Sequence, residues 1–205
     1  VASELNYQAQ TPRLLRLGAL PEAYLEQDEP AARRLLQSYV RSYLREEIKA
    51  EALVRNLEAF TRFVDLAFAE SGQFLDYSKL ARRARVSRHA LSRFYEILED
   101  TLVGQRVLPF EPLAEADDLI KHPKFYAFDV GVYNAMVGNF EPSPDRLGVL
   151  AEHLVLTQLL HSAWSRQRDC QPWTWRTRAG AEVDFIVELD REVLAIEVKT
   201  SDSID

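Results

Sequence analysis

Apolar residues recur every three or four positions from Leu14 to Leu98, whereas in the closing stretch of the chain they alternate, so helices come first and strands last. That order points to a mixed α+β or α/β class. Leu17–Glu22 reads as a short turn, and Asp28 or Glu29 before Pro30 opens a helix with Ala32, Leu35, Leu36, Tyr39, Val40 and Tyr43 on one face. A second helix from about Leu53 to Glu70 turns Leu57, Phe60, Phe63, Val64 and Ala67 inward and stops at Ser71-Gly72.

Between Phe74 and Phe110 the pattern is helix, tight turn, helix, extended pair. Asp76 or Ser78 caps a short helix carrying Leu80 and Ala81, Val86-Ser87 turns, and Ser87 caps a helix with Leu91, Phe94, Tyr95 and Leu98 inward. Thr101–Phe110, rich in Val and Leu around Gly104, suits a β-hairpin wing, which completes a winged helix. From Lys79 to Arg93 the chain carries Lys79, Arg82, Arg83, Arg85, Arg88 and Arg93 and no acid. Such a patch neutralises phosphates, and Arg88, His89, Ser92 and Arg93 on the leading turns of the second helix are the candidates for a DNA groove. The competing reading is a solvated face on a packing or protein-docking module.

A Pro- and acid-containing linker, Glu111–Asp118, precedes a different composition. Lys124–Asp129 is a short aromatic strand, Val132–Val137 a short helix, and Asp145–Trp164 a longer one with Leu147, Leu150, Ala151, Leu154, Val155 and Leu159 as its stripe and Glu152 beside it. Three strands follow, Trp173–Thr177, Ala181–Leu189 and Glu192–Thr200, joined by turns with Gly180 and Asp190. In the last, Leu194, Ile196 and Val198 face one way and Val193, Ala195, Glu197 and Lys199 the other.

With 25 basic and 32 acidic residues the net charge is −7, so no bulk positive field draws the molecule onto nucleic acid, and any such contact is local. Hydrophobic residues at 47% of 205 supply a sizeable core. The lone Cys170 forms no internal disulfide, and no apolar run approaches the ~20 residues that span a bilayer. The expectation is a cytoplasmic protein with no membrane partner. The chain begins at Val1, has Met136 as its one Met, and shows no secretory leader, which reads as a fragment or processed form.

Four side chains could carry chemistry: Glu152, Asp184, Glu197 and Lys199. Phosphodiester hydrolysis uses a hard cation, and Mg²⁺ or Mn²⁺ takes carboxylates plus waters and substrate oxygens. Asp184 and Glu197 meet across a strand pair, the Val198 carbonyl turns to the same metal, Glu152 adds a ligand, and Lys199 orients water or offsets charge. Acid-x-Lys at a strand end is common, however, and usually marks an edge or a surface salt bridge. His89, His122, His153 and His161 show no metal-ligand spacing, and His153 reads as a helix-surface residue. Trp164, Trp173 and Trp175 read as packing before base stacking.

The order helix with Glu, hairpin with Asp, strand with Glu-x-Lys resembles the PD-(D/E)XK nuclease-like fold. Leu17–Glu22, Tyr43–Ile48, the helix-turn-helix from Leu75 to Asp100, Lys124–Gly131, Trp175–Phe185 and Ala195–Thr200 together resemble the C-terminal half of a prokaryotic predicted AAA+ ATPase family. The resemblance implies a helical segment over 1–52 following an ATPase core, a winged helix over 53–112, and a nuclease-like domain of unassigned function over 119–205. None of the seven Gly is followed by Lys, so ATP would belong to an upstream P-loop domain as partner. The chain stops six residues after Lys199, where the resemblance implies a further helix and strand, so the sheet is expected to be incomplete. Expected partners are DNA, the ATPase domain and further copies of the chain in a homo-oligomer; the alternative is a non-enzymatic docking module on an inactive nuclease-like scaffold.

Overall fold

The computed structural model describes residues 2–44, 56–110 and 118–200. Residues 45–48 of the expected Tyr43–Ile48 motif, the helix start at Leu53 and nearly all of the linker lie outside these. The described residues form eight α-helices, a π-helical stretch and a five-stranded mixed sheet, an α+β architecture.

The first helix, α1 (Ala2–Leu17), holds Pro12 in its interior and lies in the helical segment expected over 1–52, with no sequence pattern marking its bounds. Its stability comes from docking. Asn134 Nδ2 donates to the carbonyls of Leu15 and Arg16, both at 2.9 Å, and the N–H of Ala19 just beyond the helix donates to Asp129 at 2.7 Å. Gly18, at φ +66°, makes that approach possible: a Cβ there would lie 2.1 Å from the Asp129 carboxylate. After α2 (Pro21–Leu25), Asp28 caps α3 (Glu29–Ser38) by accepting from Ala31, and the chain continues π-helically over Tyr39–Leu44. Asn56 caps α4 (Leu57–Ala69), whose Phe60, Phe63, Val64, Ala67 and Phe68 are buried. Leu57, expected inward, is exposed because it sits in the first turn, before the helix meets its neighbours.

The helix-turn-helix forms as read. Asp76 accepts from Ser78 and Lys79 to cap α5 (Tyr77–Ala84), and Ser87 accepts from Ala90 to cap α6 (Arg88–Asp100). Arg85 takes the left-handed conformation that ends α5, and Val86 N–H returns to the Ala81 carbonyl. The expected hairpin over Thr101–Phe110 is instead one strand, β1 (Gly104–Pro109), paired antiparallel with β2 (Lys124–Ala127) and parallel with β3 (Cys170–Arg176). Gly104 is not a turn residue: it opens the strand, and a Cβ there would lie 2.4 Å from the Phe125 ring.

Asp129 caps α7 (Val130–Val137), and α8 (Pro144–Ser165) follows. The buried line of α8 is Leu150, His153, Leu156, Thr157, Leu160 and Ala163, rotated from the expected stripe, because apolar residues occur almost all round this helix and periodicity alone selects no face. Strand β4 (Glu182–Leu189) joins β3 and β5 (Glu192–Ile196), giving the order β2-β1-β3-β4-β5. Strand β5 ends four residues short of its expected limit at Thr200. Past the Phe185–Ile196 pair the ladder stops, and the Asp184 carboxylate accepts the Val198 N–H at 2.7 Å, a side chain replacing a strand as partner. A large core joins α1, α3–α7 and β2; a smaller one, Val107, Tyr126, Leu156, Leu160, Phe185 and Val187, lies between α8 and the sheet.

Candidate functional site

At the start of β2 the chain buries a lysine. Lys124 is 3% exposed, and its ammonium lies 3.3 Å from Glu152 on α8 and 3.0 Å from Glu182 on β4. The Phe74 ring lies 4.9 Å from that ammonium and 5.3 Å from the Arg176 guanidinium, which itself approaches Glu182 at 3.6 Å. Tyr126, two residues along β2 and so on the same face, donates its hydroxyl to Glu152 at 2.8 Å. Burial pushes the Glu152 carboxyl above its ordinary range, with Lys124 and the Tyr126 hydroxyl pulling it back and Asp184 pushing it further. Burial also raises Asp184, against the Val198 N–H and with the Glu197 charge. The Tyr126 hydroxyl is held well above its usual value, first by burial and then by Glu152.

Glu152 and Asp184 therefore share one electrostatic neighbourhood, and Glu197 acts on Asp184 from beyond the end of β5. Glu197 and Lys199 are both exposed and pair with each other at 2.7 Å. Val198 enters through its donated N–H. Among the described residues no three His, Cys, Asp or Glu side chains gather into one group, and the Lys124 ammonium already lies against both Glu152 and Glu182, which leaves Glu152 poorly placed to take a divalent ion as well. No step is drawn through a metal.

His153 is fully buried, not on the helix surface. Its Nδ1 lies 2.9 Å from the Val149 carbonyl and its Nε2 2.8 Å from Ser71 Oγ, and its ring packs against Tyr126 and Tyr133. Burial lowers its pKa to about 4. Lys124, Tyr126 and Glu182 are the members that sequence reasoning missed. A Lys opening an apolar run looks like a strand boundary, and nothing in the sequence marks Lys124 as buried with the other three residues of β2.

The second candidate surface is the helix-turn-helix. Lys79, Arg82, Arg83, Arg85, Arg88, His89 and Arg93 are all exposed, and Ser92 is half-buried with its hydroxyl 3.5 Å from Glu96. Arg83 is also ion-paired with Glu70 at the end of α4. The α6 helix is fixed behind this face by Arg106 of β1, which donates to both Glu99 oxygens and to the Tyr77 hydroxyl and lies over the Tyr95 ring.

These features define an α+β protein in which a helix-turn-helix shares one sheet with a carboxylate–lysine cluster. The chain belongs to the family of the domain of unknown function DUF8612, whose model matches residues 8–143, and a second domain of unknown function, DUF4143, matches residues 147–205. It is similar to the uncharacterized proteins Rv2008c of Mycobacterium tuberculosis (strain ATCC 25618 / H37Rv) and Mb2031c of Mycobacterium bovis (strain ATCC BAA-935 / AF2122/97), each 27% identical over 194 residues. Those matches cover 91% of this chain and 42% of each relative, so the chain spans less than half the length of the curated relatives it matches. No solved structure matches it.

Proposed function

We propose that this chain is the DNA-docking region of a larger AAA+ ATPase, and that its α/β part is a nuclease-like scaffold rather than a hydrolytic centre. One observation carries the reading: six Lys and Arg side chains, Lys79 to Arg93, stand exposed on one helix-turn-helix with no acid among them, in a chain of net charge −7. Arg and Lys on adjacent helices meet the two phosphate backbones, and the amino-terminal turns of α6, with Arg88 and His89, enter the major groove. ATP binding belongs to segments outside this chain, in keeping with the greater length of its relatives. The α/β part serves as the platform that holds α6 through Arg106.

Duplex affinity measured by fluorescence anisotropy is expected to fall on the order of a hundred-fold between about 50 and 200 mM salt if some four phosphates are neutralised. Arg82→Glu with Arg88→Glu is expected to remove most of it. Affinity insensitive to both salt and these charges would sink the reading. Wild-type protein is expected not to nick supercoiled DNA with Mg²⁺ or Mn²⁺; nicking abolished by Asp184→Asn and Glu197→Gln would replace the scaffold with a nuclease.

A further inference from the structure

Carboxylates brought together inside a protein are made compatible by protonation, by a metal ion or by a basic side chain. Here the basic side chain is in place. We propose that Lys124 is the resident cation of this cluster, its ammonium taking the position between Glu152 and Glu182 that a divalent ion would otherwise occupy and withdrawing Glu152 from metal binding.

Three observations support the assignment. The ammonium is within ion-pair distance of carboxylates from two different elements, α8 and β4, so it bridges them as an ion would. The whole lysine side chain is 4% exposed, and its ammonium lies against the Phe74 ring, which shields it from water. Glu152 also accepts the Tyr126 hydroxyl on the oxygen that faces Lys124, so both acceptor positions of that oxygen are taken. A hydrated Mg²⁺ entering here would have to strand a buried ammonium without its counter-charges, which is strongly unfavourable. The inference deepens the scaffold reading of the α/β part. It is independent of DNA binding by α5 and α6, and the two fail separately because one is read with Mn²⁺ alone and the other with DNA alone.

The test is Mn²⁺ titration of the whole chain by electron paramagnetic resonance, with the lysine Nζ resonances followed by nitrogen-detected NMR. Wild type and Glu152→Gln are expected to bind Mn²⁺ equally weakly, and the Lys124 Nζ signal is expected to stay sharp as Mn²⁺ is added. Lys124→Met is expected to bind Mn²⁺ at least ten-fold more tightly than wild type, and adding Glu152→Gln to it should cancel the gain. Wild-type binding weakened ten-fold by Glu152→Gln, loss of the Nζ signal on Mn²⁺ addition, or a folded Lys124→Met with no gain would each overturn the proposal. If Lys124→Met does not fold, the wild-type comparison and the Nζ signal decide it.

Discussion

His153 is enclosed on every side: Tyr126 and Tyr133 cover its ring, Ser71 meets one nitrogen and the Val149 carbonyl the other. Lys124 nearby adds to the penalty on its charged form. In the unfolded chain the imidazole titrates near 6.5 and in the fold near 4, so between those values the unfolded state binds the extra proton. Stability is therefore lost as pH falls from about 6.5 through 4, by about 3 kcal/mol if this group acts alone. Urea unfolding of wild type and His153→Gln across that range should show a steeper slope for wild type. An identical slope would mean that the ring is accessible to protons in the fold. Such a residue is hard to read from sequence because its neighbours, Ser71 and Tyr126, are remote along the chain. Asp28, Asp76 and Ser87 were legible for the opposite reason: a cap needs only the next two or three N–H groups.

At the scale of elements, α6 is tied to its neighbours through one arginine. Arg106 joins it to the sheet through Glu99 and to α5 through Tyr77, with side chains 14% and 29% exposed for the Arg106–Glu99 pair. Arg106→Gln leaves Glu99 without its bidentate partner and is expected to cost about 2 kcal/mol, less than a fully buried pair because water reaches Glu99. Hydrogen exchange in α6 should accelerate while that of β4 does not. Uniform acceleration would show that the pair supports the whole fold instead of one helix. Helices α3–α8 and β2 were readable because their periods and caps are local signals. The wing hairpin was misread because β1 finds its partners in β2 and β3, and no short-range pattern announces a partner beyond a linker. Likewise, the early end of β5 depends on one carboxylate, Asp184, that competes for a backbone N–H.

Across the whole molecule, the two family regions are stitched by the sheet. Strands β1 and β2 lie in residues 8–143, and β3–β5 in 147–205, yet β1 and β3 are neighbours. At this seam Leu108 pairs with Trp173 and Pro109 with Thr174, Phe110 N–H reaches the Thr174 carbonyl at 2.8 Å, the Phe110 and Trp173 rings meet edge-on, and further along Leu119 bridges Thr177 and Ile120 N–H donates to the Arg176 carbonyl at 2.8 Å. Trp173→Ala removes the ring from this seam and is expected to cost about 2 kcal/mol, below the full cost for a buried Trp because this one is only half-buried. Calorimetry should then show a transition broader than that of wild type, or split, and an unchanged profile would place the coupling elsewhere. The joint between α1 and α7 works differently. The last carbonyls of α1 are held by Asn134 and the N–H beyond them by Asp129, so both polarities of that helix end are gripped by one short helix. Acceptors and donor at that end are thus matched by two side chains of one segment, Asn134 and Asp129, so the exit direction of the chain from α1 is fixed together with its position.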